Sequence, residues 1–331
     1  MKIALIYNNV TAIDSLDNQD TLVQRDFIHK LLLELGHQVC LIACDLNLSP
    51  VIHEIEKNHP DLIFNLVETL NSKGRYVHFA ASVFEELKIP FTGSSSESLY
   101  FTTNKLLTKE ILLKHNINAP LFCQNPDAVF SVFGKKTQEV IIKSVWEHAS
   151  IGLDEQSILP INDLSQIEQR FFEKQKKWGG EFFIEAYIPG REFNLSLIEN
   201  ENQLHCLPVA EIVFERFNNK HAFLNYQAKW ESDSEDYMNS NRTYEIKKED
   251  QPIIDKMIAM AQSCWKAFKA RGYARIDFRV NTNGIPFILE INTNPCLSPD
   301  AGFMAAAEKF GLSPQQVVNL IIKAAIQNHQ Y

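Results

Sequence analysis

Asp277, Glu290 and Asn292 are the residues whose types and spacing could hold a metal ion. The stretch from Gly272 to Pro295 alternates like two strands around Asn283-Gly284, the strongest short-range hairpin signal a sequence carries. Ile276, Phe278 and Val280 face one way, while Arg275, Asp277 and Arg279 face the other. A two-residue turn sets Asp277 opposite Glu290 and Arg275 opposite Asn292. Like charges directly opposite are destabilising, and carboxylates held side by side are most often there to take a hard cation through oxygen. The set forms a cradle for Mg²⁺, with Mn²⁺ as an alternative, and Arg275 stands beside it. The same alternation is also the ordinary pattern of a half-solvated hairpin. Two features favour the cation: the basic residue faces an amide, and the second strand runs into the irregular Asn292-Thr293-Asn294-Pro295, where a site could open. A longer turn would shift the pairing.

A chain of 331 residues exceeds what one core usually holds, so two or three packed units are expected. With 45% hydrophobic and 22% charged residues the composition is that of an ordinary globular protein. No apolar run approaches the ~20 residues of a membrane span, and the first apolar run is too short for a signal peptide. The expected location is cytoplasmic, with no membrane partner. A formal charge of −9 argues against general nucleic-acid binding, which needs a basic surface. Six cysteines without a C-x-x-C and ten scattered histidines fit buried free thiols better than zinc or disulfides.

Residues 2–7, 38–43, 61–66 and 89–92 read as strands, and 21–35, 51–57 and 77–87 as helices, the first closed by Gly36. Such alternation predicts a parallel sheet with ligands beyond its C-terminal strand ends, which carry Asn8-Asn9 and Asn65 to Glu68. No G-x-G-x-x-G follows the first strand, so a nicotinamide site is not expected there. Thr102-Thr103-Asn104 can cap a helix that begins near Lys105. Glu139 to Lys143 is a strand ending in a cation beside a small-residue loop, a workable phosphate grip because loop N–H groups supply further donors. Further on come a helix over 167–178, strands over 181–186 and 208–213, and the polar run from Ser232 to Arg242, read as disordered or a lid loop. Asp250 caps a helix with Pro252 in its first turn, and helices over 302–310 and 313–327 close the chain, the second with a Ser313/Gln316 capping box.

R-x-D followed by a strand ending L-E-I-N-T-N-P resembles the metal-binding end of the ATP-grasp superfamily, particularly its D-alanine:D-alanine ligase branch. T-x-N-K-x-x-T-K around Lys105 and EFFIEAYIPGREFNLSLI around Glu185 are similar to further segments of that family, in the same order. The resemblance implies an α/β ATP-grasp fold, with an N-terminal Rossmann-like parallel α/β domain over 1–95. Two α+β subdomains, 96–185 and 186–331, would follow and sandwich ATP. It implies phosphate contacts at Lys105, Lys143, Ser150 and Lys229, adenine contacts at Glu185, Ala186, Tyr187 and Ile188, and a ribose ligand at Glu192. By resemblance the protein is an ATP-dependent carboxylate-amine ligase: ATP phosphorylates a carboxylate, and an amine attacks the acyl phosphate. Arg275 and Lys229 would be its catalytic cations. The resemblance also implies a small amino-acid or peptide substrate and, since such ligases are commonly dimers, a homodimer. Two rivals stay open, a ligase acting on a protein or peptide terminus and a catalytically silent nucleotide-binding scaffold.

The sequence departs from that family at the substrate end. The tyrosine after the lid lysine and its serine partner in the phosphate loop become Trp230 and Ala149. Removing both partners of a buried hydrogen bond can be nearly neutral where losing one costs ~1–3 kcal/mol, so closure by packing is expected. The phosphate loop has a single glycine, Gly152, and carries Trp146, Glu147 and His148, which predicts a less mobile lid. In place of the glutamate that holds the first substrate's amine stand Asp14, Asp17 or Asp20, and Glu68 lies in a loop that resembles part of the amino-acid pocket. Beyond Asn292 the family's glycine and carboxylate-binding serine become Cys296 and Ala301, with Ser298 and Asp300 added. Added carboxylates repel a substrate carboxylate and attract an amine. The expected reaction is therefore not D-alanine:D-alanine ligation.

Overall fold

A computed structural model describes residues 1–10, 16–134, 138–148, 150, 152–201, 203–215, 221, 223–230 and 233–329. The chain opens with β1 (Lys2–Asn8), α1 (Leu16–Glu34), β2 (Gln38–Cys44), α2 (Ser49–Asn58) and β3 (Leu62–Leu66). The three strands are parallel in the order β2-β1-β3. Their uninterrupted apolar runs, Ile3 to Ile6 and Leu62 to Phe64, are wholly buried, as parallel strands covered on both faces require. The expected fourth strand is not one. Phe91 makes only an isolated bridge to Ile63, because Pro90 has no N–H to donate and Gly93, at φ +86°, turns the chain away. Next come α3 (Val77–Glu86), α4 (Ser96–Thr103) and α5 (Lys105–Lys114). Asn104 caps α5, accepting from the N–H groups of Leu106 and Leu107 at 3.0 and 3.1 Å.

The second sheet is antiparallel. It is formed by β4 (Phe122–Cys123), β5 (Glu139–Ser144), β6 (Ile158–Pro160) and β7 (Phe182–Ala186), in the order β4-β7-β5-β6. Helices α6 (Val129–Phe133) and α7 (Leu164–Trp178) cover it.

The third sheet holds β8 (Gly190–Asn200), β9 (Gln203–Cys206) and β10 (Ala210–Phe214), and, after α8 (Tyr226–Trp230) and α9 (Glu235–Met238), β11 (Ser240–Thr243). Helix α10 (Gln251–Ala267) precedes β12 (Tyr273–Asn281) and β13 (Pro286–Asn292). The strand order is β11-β10-β8-β12-β13, with β9 on β8. Disorder of the polar run and a cap at Asp250 both fail here. Within the polar run Ser232 to Arg242, the described part folds into α9 and the edge strand β11, since Ser234 caps the turn by accepting from Tyr237 N–H at 3.0 Å. Asp250 stands at the start of α10 but caps nothing; its carboxylate pairs instead with Arg191 at 2.8 Å. Helices α11 (Gly302–Phe310) and α12 (Pro314–Gln327) end the chain, and the Ser313/Gln316 capping box is present. Phe303, Val317 and Ile321 from these helices join Ile3, Leu5 and Phe64 in one core, so the C-terminal helices hold the β12–β13 hairpin over the ends of the first sheet. Among the described residues no helix is long and apolar enough to cross a membrane.

Candidate active site

The hairpin reaches its expected pairing by an unexpected route. Asn281 pairs with Ile285 across a three-residue loop in which Gly284 adopts φ +72°, one residue longer than the two-residue turn expected from Asn283-Gly284. That would have moved Glu290 off Asp277. A bulge between Asp277 and Phe278 takes up the extra residue, Leu289, so Phe278 meets Ile288 while Asp277 meets Glu290 and Arg275 meets Asn292. The bulge also lets Leu289 and Glu290 line the same cleft, the re-aiming that bulges perform near sites.

Arg275 does more than stand beside the carboxylates. Its Nε and Nη2 donate to both oxygens of Asp277 at 2.8 Å, and Asn194 adds a 2.7 Å bond. Glu290 has Lys105 at 3.8 Å and His148 at 4.0 Å. Burial would raise its pKa, yet the surrounding Lys105, Lys229 and Arg275 hold it well below the usual carboxylate range. Asn292 Oδ1 accepts from Asn294 N–H at 3.1 Å. The donors are all oxygen, as a hard divalent ion needs, and the cations near Glu290 lie beyond hydrogen-bond length. These residues fit Mg²⁺, with Asp277 joining once Arg275 releases an oxygen. Among the described residues no three His, Cys, Asp or Glu side chains converge, so the amide of Asn292 is needed to complete the set.

A cleft of about 800 Å³ between the second and third sheets is lined by Lys105, Lys143, Ser150, Lys229, Asp277 and Glu290. The hinge residues Glu185, Ala186, Tyr187 and Ile188, with Glu192, also line it. Lys105 is buried and donates to the Glu147 carbonyl at 2.6 Å; burial pulls its pKa down. The Glu185 side chain turns inward, onto Lys143 and Lys109. The N–H groups of Ala186 and Tyr187 are spent on Leu121 and Glu139 at 2.8 and 3.0 Å. Glu192 is paired with Arg279 at 3.3 Å, and burial raises its pKa.

The loop after β5 is tied down at several of its described residues. Trp146 is buried and donates to Glu181 at 3.0 Å. The carboxylate of Glu147 accepts from Gly74 N–H at 3.1 Å, where a Cβ on Gly74 would stand 2.7 Å from the Trp146 carbonyl. Lys174 donates to the Gly152 carbonyl at 2.6 Å. His148 is held neutral by burial and by Lys105, its pKa pushed down to about 4. Closure toward the segment before α8 is not by packing alone: Ser150 Oγ donates to the Leu224 carbonyl at 2.8 Å. Ala149 and Asp14 lie outside the described residues, as does the Asp17 side chain.

A second cavity, of about 1800 Å³, shares Lys229, Asp277 and Glu290 with the first and adds Arg275 and Asn292. Glu68, Asp20, Cys296, Ser298, Asp300 and Ala301 lie in its walls, and so does Trp230. Asp20 accepts from Ser298 Oγ at 2.9 Å and from Cys296 Sγ at 3.1 Å, and Glu68 accepts from Gln24 at 2.9 Å. Sequence reasoning missed the roles of Lys109, Arg279 and Asn194. Charged or polar residues in amphipathic elements normally face solvent, which hides Asn194; Lys109 is the last lysine of the T-x-N-K-x-x-T-K segment, and Arg279 shares a strand face with Asp277, so both carried a signal without a role.

Residues 120–323 match the family model described as D-ala D-ala ligase C-terminus. The D-alanine–D-alanine ligase of Carboxydothermus hydrogenoformans is 27% identical over all of both chains. A protein of Sinorhizobium fredii called uncharacterized protein y4sG is 26% identical over 91% of this chain and 86% of its own. The crystal structure of D-alanine–D-alanine ligase from Bacillus anthracis complexed with ATP superposes with a TM-score of 0.74 over 100% of this chain and 99% of the other, at 21% identity, a likeness that speaks for the fold. The family match covers more than half of the sequence and takes in Lys143, the hinge and the whole hairpin, so the chain belongs to the D-alanine–D-alanine ligase C-terminus family and is an ATP-grasp ligase-like protein.

Proposed function

We propose that the protein is an ATP-dependent carboxylate-amine ligase that joins an amino acid, an amino-acid derivative or a peptide to an amine through an acyl phosphate. One observation carries this: two cavities, the cleft between the second and third sheets and a larger one, share the wall formed by Asp277, Glu290 and Lys229. That is where a γ-phosphate would meet a carboxylate. The reading divides the chain at 95/96 and 185/186, with ATP between the second and third units.

Phosphoryl transfer needs chiefly positioning and charge neutralisation. Lys105, Lys143 and Lys229 would hold the phosphates, and Ser150 would keep the loop over them. Mg²⁺ on Asp277, Glu290 and Asn292 would supply the remaining neutralising charge. The substrate carboxylate attacks the γ-phosphorus and ADP leaves; the amine then attacks the acyl carbon and phosphate leaves. Arg275 stabilises the negative charge that develops on the acyl oxygen. Asp20, Glu68 and Asp300 stand in the walls of the larger cavity, with Arg242 beside Asp300. Asp20 and Asp300 depart from the family's residues there, and carboxylates that repel a substrate carboxylate favour a substrate pair other than two D-alanines. The curated relatives named D-alanine–D-alanine ligase favour D-alanine itself. Incubation with ATP and Mg²⁺ against a panel of amino acids and dipeptides, read as ADP release, separates the two: efficient D-alanyl-D-alanine formation overturns the finer proposal, and no substrate-dependent ADP release at all overturns the ligase.

A further inference from the structure

Lys109 lies one turn beyond Lys105 on α5, and its side chain is wholly buried. A lysine is almost never fully buried without a partner. Its Nζ stands 2.5 Å from Glu185 Oε2, while Lys143 holds Glu185 Oε1, and the ring of Phe183 lies 5.8 Å away. Glu185, itself 1% exposed, therefore has one cation on each oxygen. Of these two lysines, Lys143 lines the cleft between the second and third sheets and Lys109 does not.

We propose that Lys109 is a positioning residue, the permanent counter-ion of Glu185 that leaves the Lys143 ammonium available to a polyphosphate; this rests on the nucleotide reading of the cleft. A carboxylate buried with Lys143 alone would form a neutral one-to-one pair, pinning the ammonium and removing one positive charge from the phosphate end. With Lys109 present the trio carries net charge +1, and an arriving phosphate competes for Lys143 against a carboxylate that is already neutralised. Lys109 thus acts on phosphates through Lys143 without touching them.

The test is equilibrium binding of ATP and of adenosine to the full chain by calorimetry. Lys109→Met is expected to weaken ATP roughly ten- to hundred-fold, the range of a lost charge-assisted contact, and to leave adenosine affinity unchanged because adenosine has no phosphate. Lys109→Met combined with Glu185→Gln is expected to recover most of the ATP affinity, since the buried carboxylate that pinned Lys143 is gone. If Lys109→Met does not fold, the double variant decides alone, because removing both partners of a buried pair is tolerated far better than removing one. Unchanged ATP affinity in Lys109→Met, an equal loss for ATP and adenosine, or a double variant still more than ten-fold weak overturns the role. Failure of the unaltered protein to bind ATP would instead overturn the nucleotide reading.

Discussion

The end of β12 beside residues 185–188, the expected hinge, and the end that carries Asp277, the proposed metal end, each set an arginine against a carboxylate, and they hold it in opposite ways. Arg279, 4% exposed, meets Glu192 across the sheet and also donates to the Ile188 carbonyl at 3.1 Å and to the Tyr187 hydroxyl at 3.3 Å. Arg275, 20% exposed, clasps Asp277 two residues along its own strand. An arginine fixed by neighbouring strand and hinge together belongs to the scaffold. One held by a local carboxylate at the junction of two cavities can trade that partner for a reacting group while the sheet stays as it is. The same pair of residue types therefore builds rigidity at one end and a transferable charge at the other.

The largest effect that would sharpen this contrast is at the metal end. Asp277→Asn and Arg275→Met are each expected to cut ADP release at least ~10²–10³-fold, the scale of a lost transition-state contact, and Arg275→Met, which strands the buried Asp277, lowers stability as well. Near-normal turnover in Asp277→Asn would break the assignment. At the hinge end Arg279→Met leaves Glu192 buried and uncompensated, which should cost about 3–5 kcal/mol in chemical denaturation; adding Glu192→Gln should recover the greater part. A stable Arg279→Met with lost activity would reverse the contrast.

A smaller effect concerns His148, 4.0 Å from Glu290. Burial lowers its folded pKa to about 4, against ~6.5 in the unfolded chain. The unfolded state takes the proton first, so this contribution to stability is full above about pH 6.5 and is lost as pH falls toward 4. Denaturation of the cation-free protein across that window should show a shallower pH dependence in His148→Gln. The smallest expected change is from Ser150→Ala, which removes the bond to Leu224. A net cost of about 0.5–1.5 kcal/mol should appear as a several-fold rise in the KM for ATP, and no rise would mean that packing alone closes the loop.

Most of the helices and the parallel strands of the first sheet were legible because apolar periodicity and caps such as Gly36, Asn104 and Ser313 act locally. Local signals failed where a partner far along the chain decides. Asp250 has the form of a cap, yet Arg191, 59 positions earlier, draws its carboxylate away. Lys109 stands in the T-x-N-K-x-x-T-K segment with no role of its own until Glu185 is brought beside it. The Asp277–Glu290 pairing came from the right face alternation and the wrong turn length, and it held because Leu289 absorbed the difference.

Leu289 is also a residue the hairpin could do without. Its excision would leave Phe278 on Ile288 and Asp277 on Glu290, a straight ladder on both sides, whereas shifting a strand's pairing by one residue ordinarily turns its side chains to the opposite face. What disappears is a piece of apolar wall in the first cleft, and both carboxylates stay in place. At this point of β13 the pairing can therefore keep its register through a change of length. Counting back from Asn292 would align the carboxylates of a shorter relative correctly, and counting forward from Gly284 would misplace them by one.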